Sequence, residues 1–262
     1  MLNDITPVLL TFNEAANIER TLSCVAWAKD IVVVDSGSTD DTRSILTRFP
    51  QVRVFLRTFD THGNQWRYAT QETGISTNWV LRLDADYYVT DALRLELSRL
   101  DPYDAVDAYR ISFDYAIFGR RLISSLYPPN TILLRKGKFS VRDKGHTEVW
   151  MVQGPVKTLN ARIIHDDRKS TEQWVLSQSR YMRRELAYLR AEGSGFRTWL
   201  RLRPPLMPLL MFLHCLFVKG VILSGRAGLY YALQRLNAEA ALSLMVLEDR
   251  LRVKDEHRPE GL

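Results

Sequence analysis

The sequence predicts an α/β protein: a mainly parallel sheet flanked by helices, with a helical C-terminal extension. Three observations carry that expectation. Short apolar runs alternate with helical spacing over roughly the first hundred residues, the mark of βα units. One run, Ile31–Val34 (IVVV), is apolar throughout, as a strand buried on both faces is. From Thr171 onward the pattern turns helical. With 262 residues, 46% hydrophobic and 25% charged, the chain has material for a sizeable core, and a disordered or collagen-like chain is excluded.

In order, Thr6–Phe12 reads as a first strand, and Asn17–Ala28 as a helix with Ile18, Leu22 and Val25 on one face. After the second strand, Ile31–Val34, the run Ser38-Thr39-Asp40-Asp41 supplies capping oxygens for a helix through Ile45 and Leu46. Val52–Leu56 alternates as a strand and Asn64–Glu72 reads as a helix. Trp79–Leu83 (WVLRL) is a fourth strand and Asp91–Leu100 a further helix. Such a series implies parallel strands with helices on both faces. Between about 103 and 165, Tyr109, Ile111 and Phe113 alternate, and Gly119, Pro128-Pro129, Gly137 and Gly154 interrupt. Mixed or antiparallel strands with a long irregular loop are expected there. A helix from Thr171 to Arg190, a Gly193-Ser194-Gly195 break, an apolar helix near 206–223 and a last helix over Leu229–Leu251 follow. The expected division is an α/β domain over 1–168 and a helical extension over 169–262.

The formal charge of +6 favours an anionic partner: nucleotide phosphate, nucleic acid or an acidic membrane surface. Cys24 and Cys215 lie far apart in apolar company, offering neither a disulfide framework nor metal spacing, which favours a reducing compartment. The opening MLNDITPVLLTFNEA lacks the basic start of a signal peptide. The apolar run Pro204–Val218 contains Pro204, Pro205 and Pro208 and is shorter than the about 20 residues a spanning helix needs.

Ligands of open α/β sheets bind beyond the carboxyl ends of the strands. Three polar clusters fall there: Thr11-Phe12-Asn13-Glu14, Asp35-Ser36-Gly37-Ser38-Thr39-Asp40, and Asp84-Ala85-Asp86. Each alone is also ordinary loop chemistry. Two carboxylates one residue apart on a turn can face one divalent cation, a hard ion that takes oxygen ligands and keeps positions for phosphate. A bare DxD triplet is common; its place directly after WVLRL gives it weight. No GxGxxG follows the first strand, which disfavours a nicotinamide dehydrogenase.

TPVLLTFNEAANIERTL, DIVVVDSGSTDDT and WVLRLDADY, in that order and spacing, resemble the nucleotide-binding half of family 2 glycosyltransferases, which have the GT-A fold. GHTEVW, HDDRKSTEQWVLSQSRYMRRE and GRAGLYYALQRLNAEA extend the resemblance to the branch acting on bacterial lipopolysaccharide core and related surface glycans. The resemblance implies a metal-dependent inverting transferase using Mn2+ or Mg2+. It would move a sugar from a nucleotide diphosphate sugar, a UDP-sugar above all, to a lipid-linked or polysaccharide acceptor. Thr11, Asn13 and Glu14 would flank base and ribose, and Asp35 would bond the base with Ser36 beside it. Asp84 would approach the ribose or the metal-bound phosphate, and Asp86 would ligate the metal. Many relatives of that branch carry Glu after the DxD, where this chain has Tyr87.

Other residues are open to two readings. Arg67 would contact phosphate or be a solvated helix arginine. His165 would complete the metal site, with Arg168 and Lys169 on the diphosphate, or the cluster would simply begin a helix. An inverting transferase needs a general base, for which Glu148 comes first and Asp143 second, with His146 orienting the acceptor or the loop. Arg180, Arg183, Arg184, Arg190, Arg197, Arg201 and Arg203 precede and adjoin an apolar stretch with Trp199, Phe212 and Phe217. That composition fits peripheral contact with the anionic cytoplasmic face of a membrane; a packed subdomain or an oligomer interface is the alternative. No nucleic-acid motif is present. A polyprenyl-phosphate sugar transferase and a non-catalytic nucleotide-sugar-binding scaffold are the other functional readings.

Overall fold

The computed structural model describes residues 1–144, 147–191, 193–204 and 206–256. The chain divides into two compact units: the first holds Met1–Arg121, Tyr127–Asp143 and Thr147–Lys169, and the second Leu122–Leu126 with Ser170 onward.

In the first unit, β1 (Ile5–Thr11), α1 (Ile18–Cys24), β2 (Ile31–Asp35), α2 (Thr42–Leu46), β3 (Val52–Leu56), α3 (His62–Gln71) and β4 (Trp79–Asp84) follow the expected alternation. Next come β5 (Tyr87–Val89), α4 (Asp91–Arg99), β6 (Ala108–Ile117), β7 (Arg120–Arg121) and β8 (Asn130–Arg135). β9 (Phe139–Lys144), β10 (Thr147–Val152) and β11 (Val156–His165) complete it. The main sheet runs β3-β2-β1-β4-β8-β6-β11-β5, with β7 on β6; β9 and β10 form a separate pair. β1 is parallel to β2 and β4, and β2 to β3. β8 enters antiparallel between β4 and β6, β11 is parallel to β6, and β5 closes the edge antiparallel to β11.

Residue parity decides which helix each strand meets, because neighbouring side chains point to opposite faces. Ile5, Leu9, Val33, Leu81 and Leu83 pack with Ile18 and Leu22 of α1 and Leu93 and Leu97 of α4. The alternate positions Val8, Val32, Val34 and Val80 pack with Trp66 and Ala69 of α3 and with Phe139 and Val141 of β9. β1, β2 and β4 are thus buried on both faces, each apolar side chain contributing about 1.5–3 kcal/mol. β3 lies at the edge and leaves Val54 and Leu56 exposed.

Several boundaries differ from the sequence reading. α1 stops at Cys24, not Ala28. α3 begins at His62, two residues early, because Thr61 is the cap and accepts the Asn64 N–H. At α2 the capping residue Asp41 makes no side-chain cap; Asp40 accepts the Thr42 N–H instead.

The second unit contains α5 (Thr171–Ala191), α6 (Gly195–Arg201), α7 (Leu206–Leu213) and α8 (Gly225–Glu256). Met182, Leu186 and Leu189 of α5 pack with Ala238, Leu242 and Val246 of α8. The single apolar helix expected over 206–223 is three pieces: α7, a π-helical stretch His214–Val218 and a 3-10 turn Val221–Ser224. Gly220, at φ 66°, separates the π-helical stretch from the 3-10 turn, and Gly225, at φ 59°, separates that turn from α8; both lie in a backbone region that side chains with a Cβ disfavour. Among the described residues no single helix is long and apolar enough to cross a membrane. Leu206–Val218 with Val221–Arg252 meets that test only as a pair, bent by 72°.

Candidate active site

The carboxyl ends of β1, β2 and β4 lie side by side, with Thr11 in register with Asp35 and Leu10 with Asp84. The loops after β1 and β2 are joined by hydrogen bonds. Asn13, at φ 55°, donates its N–H to Ser38 Oγ and accepts the Thr39 N–H. The Glu14 and Ala15 N–H groups donate to Thr42 Oγ1 and Asp40.

Asp35 departs from the base-contacting role implied above. Its carboxylate is fully buried, and both oxygens are engaged. Oδ2 accepts from Thr11 Oγ1 at 2.9 Å and Ser38 Oγ at 2.5 Å, while Oδ1 accepts the Gly37 and Ser38 N–H groups. A buried carboxylate needs such a set, and this one holds the loop closed. Thr11, 2% exposed, is spent on the same task. Ser36 is half-buried, and its hydroxyl accepts from Gln65 Nε2 at 2.8 Å. Gln65, buried on α3, is a support that sequence reasoning missed. Glu14 forms an ion pair with Lys169 and accepts from Asn17. Burial raises the Glu14 carboxyl to about 7 against the opposing charge of Lys169, with a further push from Asp86.

The turn after β4 leads directly into β5, whose pairing with β11 brings Tyr87 opposite His165. Asp86 Oδ2 therefore meets His165 Nε2 at 3.0 Å, 79 positions away in sequence. Burial pushes Asp86 up, but the facing His165 and Lys169 outweigh it and hold the carboxyl below its usual range. Asp84 is displaced upward by its protein surroundings, then by the charges of Asp86 and Glu148. Asp86 Oδ1 and His165 Nδ1 are buried without a hydrogen-bond partner. An orphaned carboxylate oxygen beside an imidazole suits a hard divalent ion, although no ready-made cluster of three metal-ligating side chains occurs among the described residues. Tyr87 is buried and bonds Tyr127 hydroxyl to hydroxyl at 2.5 Å, with both rings against His165.

Of the two carboxylates considered for general base, Glu148 lies close enough to Asp84 to affect its titration. Glu148 Oε1 accepts from Arg82 at 2.7 Å and Trp150 Nε1 at 3.1 Å; Oε2 stands 4.0 Å from His62 Nδ1. Asp143 has other employment. It accepts from Thr61 Oγ1 at 2.9 Å and from the Gly63 N–H at 2.7 Å, fastening the first turn of α3. Both of its oxygens thus serve a helix start, whereas Glu148 keeps Oε2 without such a bond from the backbone. Arg67 is exposed and donates to Asn64 one turn back, as a solvated helix arginine does. Arg168 is bound to Asp166. His146 lies outside the described residues. Arg82 was the other residue missed: an arginine inside WVLRL reads as a strand polar residue, and its partner lies 66 positions on.

This parallel half-sheet with its acidic strand ends defines an α/β protein of GT-A type. The chain is a member of glycosyl transferase family 2, whose model matches residues 7–159. It is 32% identical over 106 residues to an uncharacterized glycosyltransferase of Rickettsia bellii, covering 40% of this chain and 35% of that one. Thus the match spans about a third of that relative's length. The lipopolysaccharide core biosynthesis glycosyltransferase LpsC of Rhizobium meliloti is 24% identical over 249 residues, covering 87% of this chain and 86% of that one. Among solved structures, S. aureus TarS 1-349 in complex with UDP-GlcNAc superposes with a TM-score of 0.52 at 15% identity, covering 95% of this chain and 92% of that one.

Proposed function

We propose that this chain is a metal-dependent inverting glycosyltransferase. It takes a nucleotide diphosphate sugar, a UDP-sugar by preference, and transfers the sugar to a hydroxyl of a lipid-linked or cell-surface glycan acceptor. The observation that carries the reading is the meeting of Asp86 and His165 at the open end of β4, beside Asp84 and the joined loops of β1 and β2. Membership of family 2, the UDP-GlcNAc held by TarS and the name of LpsC support the donor and acceptor classes.

Asp86, with His165 and Asp84 beside it, would hold Mn2+ or Mg2+, and such an ion offsets the charge of a departing diphosphate. The joined loops, with Asn13, Glu14 and Ser36 at their rim, would seat base and ribose. Glu148 would accept the proton of the acceptor hydroxyl at Oε2 as that oxygen bonds to the anomeric carbon. The bond to the diphosphate breaks on the opposite face, its electron pair leaving on the diphosphate oxygen. Arg82 and Trp150 hold Oε1 and so aim Oε2. Incubation with labelled UDP-sugars and Mn2+, scored for transfer or hydrolysis, tests the reading. Turnover that disappears in Asp86→Asn supports it; no turnover of any nucleotide sugar would leave only a binding scaffold.

A further inference from the structure

The second unit carries an apolar surface that its own packing does not use. α7 packs along α8, and Pro208, Cys215, Leu216 and Val221 are buried. The residues between them face outward: Leu209, Leu213, Phe217 and Ile222 are exposed, with Val218 at 74% and Leu223 at 77%. Contiguous apolar surface of this kind is uncommon on a solvated protein and marks a contact. An aromatic stack adjoins it in sequence. Phe196 lies on Trp199 at 5.6 Å, and the Arg203 guanidinium covers the Trp199 ring at 4.1 Å. Apolar bodies carrying a polar or charged end suit a boundary between hydrocarbon and water.

Charge identifies the occupant. Residues 193–238 contain six Lys or Arg and no Asp or Glu. A second copy meeting this surface about a two-fold axis would bring the same cations face to face with no carboxylate from this stretch to answer them. An anionic bilayer answers them directly. We infer that residues 196–229 of the second unit dock on an anionic lipid bilayer, Phe217, Val218, Ile222 and Leu223 entering the acyl boundary and Arg203, Lys219 and Arg226 meeting the head groups. Leu206–Val218 meets Val221–Arg252 at a bend of 72° and no single straight helix among the described residues spans, as expected of a segment that lies in the interface. Arg201, named from sequence as a head-group contact, is excluded. It pairs with Glu185 at 2.6 Å and Glu239 at 3.1 Å, its side chain only 20% exposed. Phe212 is half-buried, and the Arg197 side chain lies outside the described residues.

The inference stands apart from the transferase reading, and its test uses no substrate. The full chain is floated with vesicles of phosphatidylcholine alone or mixed with phosphatidylglycerol. Recovery is expected only with phosphatidylglycerol, weaker in high salt. It should fall about five-fold per cation removed in an Arg203→Gln, Arg226→Gln variant. It should be abolished in Phe217→Glu, Leu223→Glu, with circular dichroism confirming the fold of both. If the latter variant does not fold, wild-type fluorescence decides: bromine-labelled lipid should quench a component that Trp199→Phe removes. Equal recovery with both vesicles, recovery with neither, or no Trp199 quenching overturns the inference. So does a wild-type dimer that Phe217→Glu, Leu223→Glu makes monomeric without any lipid binding, which assigns the surface to a second copy.

Discussion

Arg82 of β4 and Glu148 of β10 form an ion pair of 2.7 Å, with side chains only 5% and 11% exposed. The guanidinium also lies 4.9 Å from the Trp150 ring and 5.8 Å from Trp66, and donates to the Thr131 carbonyl. This planar, many-handed hold is one that lysine does not reproduce. Arg82→Lys should therefore lower kcat by about ten-fold or more while leaving the donor Kd within roughly two-fold. A parallel loss of donor affinity would assign Arg82 to the nucleotide instead.

Glu148→Gln keeps the shape and removes the proton acceptor. A fall in kcat of about a hundred-fold or more is expected, the usual worth of a general base, with UDP affinity unchanged. Asp143→Asn should instead lower the melting temperature with kcat little altered, since Asp143 fastens α3. Activity retained in the first variant and lost in the second would exchange these roles.

Asp35→Ala removes four hydrogen bonds to a buried carboxylate and should cost about 2–4 kcal/mol in denaturant unfolding. A variant as stable as wild type, yet unable to bind UDP, would restore the direct base contact.

Glu14 supplies a pH dependence. Its carboxyl sits at about 7 in the folded protein against an ordinary 4.5, so the folded state holds the proton more tightly. The stability this provides is fully present below pH 4.5 and is lost as the pH rises through 7. Glu14→Gln cannot lose it. Relative to wild type, the variant should gain about 3 kcal/mol between those pH values, and a pH-independent difference would show that Glu14 titrates normally.

Burial also pushes the Cys24 thiol up to about 11, and Cys215 is buried in turn. Both should resist alkylation at neutral pH until the chain unfolds. Rapid native-state labelling at either position would contradict this packing.

The parallel half of the sheet is legible because burial on both faces demands unbroken apolar strands such as Ile31–Val34. The remainder is not, because β8 enters between β4 and β6 from a distant part of the chain and no local pattern records that insertion. Asp35, Thr11 and Asp143 show the same limit at the site. A polar residue after a strand looks alike in sequence whether it faces ligand or ties a loop, and only burial and partners separate the two. The helix expected over 206–223 is interrupted at Gly220, which adopts positive φ, and apolar periodicity does not reveal that. Asp86 and His165 meet through the β5–β11 register, which the sequence does not state.

Calorimetric titration of UDP into the protein, with Mn2+ and then with a chelator, tests the central claim most directly. The account predicts binding in Mn2+ that weakens at least about ten-fold on chelation, and equally in Asp86→Asn, with the fold intact. No UDP binding by the folded wild-type chain, or the same affinity with chelator and in Asp86→Asn, would contradict a metal-assisted nucleotide site at the end of β4.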